Sequence, residues 1–340
     1  MKPENRKPVT IKDVAKEANV SYATVSRALS GNPAIKAETR KHVLEVCERL
    51  GYTTNFVARS MVMRETHLIG VLLPSIDNPF MSELAYHLEC DARARGYTIM
   101  LCNSSYSYAE EEKAFTLLLG RQVDGIVIIP IGRDSYHNLR KYLNKVPTVF
   151  ANENLMDAPE SYVTVDNYQG TRIGAQYLMS LGHTKIMYFG RLATSATHTF
   201  RAQGFQSACE ENGITPLFFD GHTDATTIES GYELAKKMFQ QKRNFTAIQA
   251  STDTLALGVL EAADEAGIRI PEDVSLIGFD NIRYAGLPKI NLTTIEQPKS
   301  AMATVALDIL LEKTQSDYEA YSHRILTPTL IQRKSCLPLR

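Results

Sequence analysis

The alternation of apolar and polar positions at the start of the chain predicts three short helices joined by tight turns. The helices are expected over residues 11–18, 22–29 and about 37–50. Within each segment, apolar residues recur three or four positions apart, which places them on one face of a helix. Asn19 separates the first two helices, and asparagine tolerates the left-handed backbone that such a turn requires. The pattern therefore predicts a compact three-helix unit.

From residue 68 onward the pattern changes to short apolar runs that alternate with amphipathic helical segments. Repeated strand–helix units predict parallel sheets covered by helices on both faces, an α/β fold. About ten units are more than one doubly wound sheet comfortably uses, so two lobes are expected. The predicted strands are Leu68–Leu73, Ile99–Cys102, Gly125–Ile129, Thr148–Ala151, Tyr162–Val165, Lys185–Phe189, Ala247–Ala250, Val274–Phe279 and a last stretch over Arg324–Ile331.

Polar residues follow several of the predicted strands. Asn78 lies shortly after the first strand, and Asp253 and Asp280 follow later ones. Arg201 is predicted to open a helix over Arg201–Asn212. Ligands of open parallel sheets bind beyond the carboxyl ends of the strands, so these residues are candidates for a binding crevice.

Composition places the chain among soluble globular proteins, with 44% apolar and 22% charged residues in 340. No run approaches the roughly 18 uninterrupted apolar residues that span a bilayer. The basic start lacks the apolar core of a secretory signal. The five cysteines are far apart and odd in number, which argues against a disulfide framework or a zinc site. We expect a cytoplasmic protein without membrane association, metal or cofactor.

Charge is distributed unevenly along the chain. Residues 1–66 carry twelve Lys or Arg against seven Asp or Glu, whereas the remaining residues carry twenty-five against thirty-one. A basic N-terminal segment joined to an acidic remainder is typical of a chain in which one module binds a polyanion and another binds a different ligand.

The outward positions of the second predicted helix suit contact with DNA bases. A recognition helix enters the major groove by its N-terminal end, where hydrogen-bonding or small apolar side chains read base edges. Arg27 can bind guanine and Ala23 can contact a thymine methyl group, and Tyr22, Thr24 and Ser26 lie on the same side. Other hydroxyl and basic side chains are candidates for phosphate contacts: Thr10, Ser21, Ser30, Lys36 and Thr39.

The stretch from Thr10 to Leu29 resembles the N-terminal signature of the lactose-repressor family of bacterial regulators. The continuation agrees, with Thr39-Arg40, Leu50-Gly51-Tyr52, Asn55 and Ala58-Arg59. The resemblance implies a helix-turn-helix domain over 8–53, a hinge helix over 54–66 and a two-lobed, periplasmic-binding-protein-like core over 67–340. It implies lobes of about 67–164 with 296–326 and about 165–295 with 327–340.

In the hinge, this chain departs from the family pattern at two positions. Thr54 replaces the usual proline, and Met61 replaces the leucine that inserts into the minor groove. Methionine can serve as such a wedge. The resemblance therefore implies DNA contacts in and beside the hinge from Tyr52, Asn55, Ala58, Arg59 and Met61; a helix buried in the core is the alternative for this segment.

The core carries further family landmarks, such as Val123-Asp124-Gly125-Ile126, Thr252-Asp253-Thr254 and Ile277-Gly278-Phe279-Asp280-Asn281. By this resemblance, Arg201 and Asp280 lie between the lobes and bind the hydroxyl groups of a ligand, and Asp253, Asn78 and Phe80 are further candidates. The alternatives are that Arg201 and Asp280 only pair with each other, and that Asn78 and Pro79 only cap a helix. His198 and His222 are not selected as ligand residues.

The function implied is a DNA-binding repressor of carbohydrate-utilisation genes. Its effector is expected to be a sugar or sugar phosphate, with a nucleobase or a protein co-effector as alternatives. A homodimer is expected to read a pseudo-palindromic operator, since the tail after the last predicted strand is short for a tetramerisation helix. An enzyme is disfavoured because nucleotide-loop and hydrolase motifs are absent from the sequence. A solute-binding protein without a DNA role is the remaining alternative.

Overall fold

The computed structural model describes residues 9–29, 32, 34–52, 65–153, 159–192, 195–219, 226–241, 244–315 and 321–339. The chain forms two compact units, Met1–Thr66 and His67–Arg340. None of the helices in the described part is long and apolar enough to cross a membrane.

The first unit is a three-helix bundle, as predicted. Its helices are α1 (Ile11–Glu17), α2 (Tyr22–Leu29) and α3 (Ala37–Leu50). The apolar positions of the three helices form one small core, whose most buried members are Val14, Ala18, Val25, Ala28, Val43 and Val46. Asn19 has a φ of 51°, which confirms the left-handed turn between α1 and α2. Of the predicted hinge helix, only Glu65 and Thr66 are described, and they have no regular secondary structure.

The second unit is built from alternating strands and helices, which confirms the α/β prediction. In chain order, its strands are β1 (Leu68–Leu73), β2 (Thr98–Asn103), β3 (Gly125–Ile128), β4 (Thr148–Ala151), β5 (Ser161–Val165), β6 (Ile186–Phe189), β7 (Leu217–Phe218), β8 (Ala247–Ala250), β9 (Ser275–Asp280), β10 (Thr293–Glu296), β11 (His323–Leu326) and β12 (Thr329–Ile331). Its helices are α4 (Pro79–Ala94), α5 (Tyr108–Gly120), α6 (Asp134–Leu139), α7 (Asn167–Ser180), α8 (Ala196–Glu211), α9 (Ile228–Phe239), α10 (Asp253–Glu265) and α11 (Lys299–Gln315).

The strands form two separate six-stranded sheets, one in each lobe. The order in lobe 1 is β11-β5-β4-β3-β1-β2, and all pairs are parallel. The order in lobe 2 is β12-β10-β9-β8-β6-β7, with β12 alone antiparallel to its neighbour. The central strands β3, β8 and β9 are buried along their whole length, and β1 is buried from its second residue onward, as expected for sheets covered on both faces.

The chain passes between the lobes three times. The first crossing joins β5 to α7, the second joins β10 to α11, and the third joins β11 to β12. Helix α11 packs against α4, β3 and β4, so it belongs to lobe 1. These crossings place the carboxyl ends of strands from both sheets around one crevice.

Two sequence predictions need correction. The stretch Arg324–Ile331 is not one strand, because Pro328 lacks an amide hydrogen for a sheet and the chain changes lobes between β11 and β12. Arg201 does not open its helix, because Ser195 is the N-cap and its hydroxyl accepts from the His198 amide over 3.3 Å. Arg201 therefore lies in the second turn of α8.

Candidate nucleic-acid interface and ligand cavity

The start of α1 is fixed by contacts between Thr10 and Asp13. The amide and the hydroxyl of Thr10 donate to the Asp13 carboxylate over 2.8 and 2.7 Å. These hydrogen bonds lower the pKa of Asp13, so its negative charge persists at the positive end of the helix dipole. The hydroxyl of Thr10, a predicted phosphate contact, is thus engaged within the first unit.

The predicted recognition surface lies along the N-terminal half of α2. Tyr22, Ala23 and Arg27 are exposed, whereas Thr24 and Ser26 are half-buried. Ser21 caps the helix, because its hydroxyl accepts from the Thr24 amide over 3.1 Å. An exposed tyrosine at the first position of a short helix, with 48% of its surface accessible, is available for contact with a partner.

The other predicted DNA contacts fall in different surroundings. Lys36 is exposed immediately before α3, and Thr39 is half-buried in its first turn. Tyr52 packs partly against the three-helix core. The remaining candidates lie outside the described residues: Ser30, Asn55, Ala58, Arg59 and Met61.

The second unit contains a cavity between its lobes, with about 530 Å³ of empty space that is partly open to solvent. Segments that follow the carboxyl ends of β1, β2, β3 and β4 supply the lobe 1 side. Lobe 2 contributes α8, the segment after β8, the last residue of β9 and residues shortly before α8 and α9. The lining residues used below are Asn78, Phe80, Ile131, Asn152, Glu153, Thr197, His198, Arg201, Thr226 and Asp280. Apolar and polar side chains together line this cavity, as they do in small-molecule binding sites.

Arg201 is held rigidly in the cavity wall. Its side chain is 2% exposed and donates from Nε to Asn167 over 2.8 Å and from Nη1 to the Ser251 carbonyl over 2.6 Å. Nη2 lies 3.4 Å from Asp280 Oδ1, and the guanidinium sits 3.7 Å from the centre of the Phe279 ring. Burial lowers the pKa of Arg201, against the opposing effect of Asp280. Arg201 therefore both pairs with Asp280 and lines the cavity.

Asp280 stands at the end of β9 with a φ of 118°, a backbone conformation that side-chain-bearing residues rarely adopt. Its Oδ1 accepts from Gln297 over 2.7 Å as well as from Arg201. Lys299 donates to the carbonyls of Asp280 and Asn281 over 2.9 and 2.8 Å. Burial raises the pKa of Asp280, and the charge of Arg201 opposes that rise. These contacts hold the strained strand end in place.

Asp253 is not among the described residues that line the cavity. It is fully buried, with Oδ1 accepting from the Thr294 hydroxyl over 2.6 Å and Oδ2 from the Ile282 amide over 2.9 Å. Burial and the neighbouring Asp280 charge raise its pKa well above the usual value. These hydrogen bonds connect α10 to β10 and to the residue Ile282 after β9. Asp253 thus lies behind the residues that line the cavity.

Asn78 and Phe80 both line the cavity, and Asn78 also caps α4. Its side-chain oxygen accepts from the Phe80 and Met81 amides over 3.0 and 3.3 Å. Its amide nitrogen donates to the Thr226 carbonyl over 3.1 Å, which joins lobe 1 to lobe 2. Asn78 therefore caps α4, as one alternative predicted, and also lines the cavity.

Sequence reasoning missed the residues that follow β4 and passed over His198. Glu153 is 4% exposed and accepts from the Ser195 hydroxyl and the Thr197 amide, both over 3.0 Å. Burial raises the pKa of Glu153. The signal that could have found Asn152 and Glu153 was their place directly after a buried strand, the criterion already applied to β1, β8 and β9.

Comparison with protein families gives two matches. Residues 10–55 match the model for bacterial regulatory proteins of the lacI family. Residues 175–336 match the model for a periplasmic binding protein-like domain.

Characterised proteins match nearly the whole chain. Catabolite control protein A of Priestia megaterium is 36% identical over 327 residues, which cover 93% of this chain and 97% of that protein. The HTH-type transcriptional repressor PurR of Edwardsiella ictaluri is 33% identical over 333 residues, or 96% of each chain.

Solved structures agree with the sequence matches. The lac repressor dimer bound to operator and the anti-inducer ONPF superposes with a TM-score of 0.87 at 27% identity, over 97% of this chain and 100% of that one. The complex of the transcriptional regulator CelR with cellobiose gives a TM-score of 0.71 at 25% identity, over 96% and 99%.

Proposed function

The chain belongs to the lacI family of bacterial regulatory proteins, and from that premise we propose that a neutral sugar bound between its lobes switches its affinity for operator DNA. As a member of this family it is a DNA-binding transcriptional regulator and not an enzyme. The proposed regulatory role is repression of carbohydrate-utilisation genes. The observation that carries the choice of effector is the Arg201–Asp280 pair in the cavity wall.

The charge of the cavity favours a neutral sugar over a sugar phosphate. Arg201 is the one Arg or Lys among the described lining residues, and its guanidinium is already engaged by Asn167, Ser251 and Asp280. Asp280 and Glu153 contribute two carboxyl groups to the same lining. A phosphate group, with nearly two negative charges, would lack a cation to pair with. A polyol, in contrast, can exchange hydrogen bonds with carboxylate, amide and guanidinium groups.

A thermal-shift screen of the full chain tests the effector proposal. The panel contains D-ribose, D-glucose, D-galactose, cellobiose, glucose 6-phosphate, hypoxanthine and guanine. We expect a neutral sugar to raise the melting temperature and to change operator affinity, and Arg201→Lys to remove both effects because lysine lacks the planar fork. A response confined to a purine or to the phosphorylated sugar would refute the proposal.

For DNA, we propose that Arg27 reads a base edge from α2. The operator is first obtained by selection of bound sequences from random duplexes. Arg27→Ala is then expected to weaken operator binding by about tenfold or more, since a good bidentate contact with a base supplies about 1–3 kcal/mol. Arg121→Ala, an exposed arginine directly after α5, is the matched control. Equal operator affinity of wild type and Arg27→Ala would contradict this assignment.

We also propose that the regulator acts as a homodimer through lobe 1. Tyr86 on α4 is 64% exposed and Leu101 on β2 is 36% exposed, and α4 packs against β2. The similar lac repressor structure is a dimer on its operator. Tyr86→Asp is expected to shift the chain toward monomer in sedimentation equilibrium, whereas Leu339→Asp, at an exposed apolar site in lobe 2, is not. A wild-type monomer or tetramer would contradict this proposal.

A further inference from the structure

A carboxyl group of lobe 1 caps the N-terminus of a helix in lobe 2. Glu153 follows β4 and is 4% exposed. Its Oε2 accepts from the Ser195 hydroxyl and its Oε1 accepts from the Thr197 amide, both over 3.0 Å. Ser195 is the N-cap of α8, and Thr197 is the second residue of that helix. Both oxygens of one buried side chain in lobe 1 are therefore engaged by lobe 2.

The Thr197 amide has no acceptor inside its own helix. The first amides of an α-helix lack intrahelical partners and need a cap, water or another segment. The hydroxyl of the N-cap Ser195 accepts from the His198 amide over 3.3 Å, and the Thr197 amide donates to Glu153 instead. A carboxylate in this position also meets the positive end of the helix dipole. The cap of α8 is therefore complete only when lobe 1 lies against lobe 2.

These contacts lie away from the points where the chain crosses between the lobes. The crossings leave or enter lobe 1 through β5, α11 and β11, and lobe 2 through α7, β10 and β12. In the lobe 2 sheet, β8 and β9 separate β10 from β6, the strand that precedes Ser195. A second contact in the same place joins the Thr197 hydroxyl to the Asn152 carbonyl over 2.9 Å. Contacts so far from a hinge break when the lobes separate.

We propose that Glu153, through Ser195 and Thr197, holds the two lobes together and thereby positions α8 for binding of the effector. Arg201 lies one turn beyond Thr197 on α8 and reaches the cavity from that helix. Glu153 is thus a positioning residue, which acts through α8 and not by touching the ligand. The inference rests on the proposed function, because the effector occupies the same cavity. All groups of this contact belong to the chain, so we expect it to form with or without effector, which lowers the ordering cost of binding.

Hydrogen exchange of the Thr197 amide, resolved by mass spectrometry of the full chain, tests the contact without any ligand. We expect wild type to exchange this amide at least about tenfold more slowly than an unstructured peptide does. Glu153→Leu removes both acceptors and should abolish the protection, whereas Glu153→Gln keeps one acceptor oxygen and should retain part of it. The Gln169 amide, which Asp166 caps over 2.9 Å at the start of α7, should be unchanged in both variants. An unprotected Thr197 amide in wild type, or equal protection in wild type and Glu153→Leu, would overturn the inference.

Calorimetric titration then tests the consequence for the effector, with D-ribose, D-glucose, D-galactose and cellobiose. For the sugar that binds wild type, Glu153→Leu is expected to weaken binding by about tenfold, as when the binding-competent arrangement falls to about one tenth of the molecules. Glu153→Gln should lose less affinity than Glu153→Leu. Glu110→Leu, at an exposed glutamate in the first turn of α5, is the matched control and should stay within about twofold of wild type.

The two measurements separate this inference from the proposed function. If wild type binds none of the four neutral sugars, the proposed effector class fails, and loss of Thr197 protection in Glu153→Leu still supports the contact between the lobes. If Glu153→Leu loses sugar affinity while Thr197 stays protected, Glu153 acts on the sugar directly and its positioning role is overturned. Equal sugar affinity of wild type and Glu153→Leu overturns that role as well. Should Glu153→Leu fail to fold, both comparisons are made with Glu153→Gln, for which smaller differences are expected.

Discussion

Glu111→Gln should change how the stability of the chain depends on pH. Glu111 lies in the first turn of α5, 1% exposed, and its Oε1 accepts from the Ser135 hydroxyl over 2.9 Å and from the Ile131 amide over 3.3 Å. Its other oxygen has no partner among the described residues. Burial raises the pKa of this carboxyl from 4.5 to about 7. Glutamine keeps an acceptor for the same two donors and carries no titratable proton.

The direction in which stability changes with pH follows from where Glu111 binds its proton. Between pH 4.5 and about 7 the folded chain holds the Glu111 proton and the unfolded chain has released it. The stability contributed by the protonated carboxyl is therefore complete below pH 4.5 and declines as the pH rises toward about 7. With about 1.4 kcal/mol for each tenfold change, wild type loses about 2–3 kcal/mol from this group between about pH 5 and 8, and Glu111→Gln does not.

The assay is urea denaturation of wild type and variant at matched pH values. The difference in unfolding free energy isolates Glu111, because other buried groups titrate equally in both proteins. We expect the variant to gain about 2–3 kcal/mol relative to wild type from about pH 5 to 8. Glu110→Gln, at the exposed preceding residue that pairs with Lys113, should stay within about 0.5 kcal/mol. A Glu111→Gln difference that does not change with pH would refute the reasoning.

Three further substitutions test the support of the cavity and the turn of the DNA-binding unit. Gly278→Ala would place a Cβ 2.0 Å from Asp253 Oδ1, so we expect a loss of about 3 kcal/mol in urea denaturation, whereas Gly120→Ala, with no heavy atom within 4 Å, should be tolerated. Equal stability of these two variants would show that β9 and Asp253 can move apart. Lys299→Met leaves the Asp280 and Asn281 carbonyls and Glu83 without their cation, so we expect it to lose about 3 kcal/mol of unfolding free energy. The exposed control Lys289→Met should lose little. Equal stability of these two variants would contradict the role of Lys299 in holding the end of β9. Asn19→Val forces a β-branched residue to a φ of 51° and should lower the hydrogen-exchange protection of α1 and α2 by about 1–2 kcal/mol, but Asn19→Gly should not; a protected valine variant would show that the turn adapts.

Periodicity and turn chemistry were sufficient to predict the three-helix unit and most of the parallel strands. Val14, Ala15 and Ala18, which the helical spacing placed on one face, are buried in the three-helix core. Asn19 adopts the left-handed conformation that was predicted for the turn. Asp280 was a candidate because residues after buried strands line the crevice of an open sheet, and the place of Arg201 beside it was expected from the family resemblance.

The rest depended on contacts between segments distant in sequence. Nothing local shows that Glu153 reaches Ser195 and Thr197, or that Nδ1 of His198 has no hydrogen-bond partner among the described residues. Asp253 lies shortly after β8 and Asp280 ends β9, yet the Asp253 carboxylate accepts from Ile282 and Thr294 in the interior. The spacing of residues along one chain cannot distinguish these cases, since both depend on which neighbouring segments supply hydrogen-bond donors.

The three chain crossings also govern the order in which the molecule can be assembled. Strand β11 pairs with β5 although about 160 residues separate them, and α11 covers β3 and β4 from a similar distance. During synthesis, lobe 1 therefore lacks its edge strand and one covering helix until nearly the whole of lobe 2 has emerged. A chain that ended after β10 would lack α11, and the apolar face of the lobe 1 sheet that α11 covers would be exposed. We therefore expect such a truncated chain to aggregate rather than to form a stable lobe.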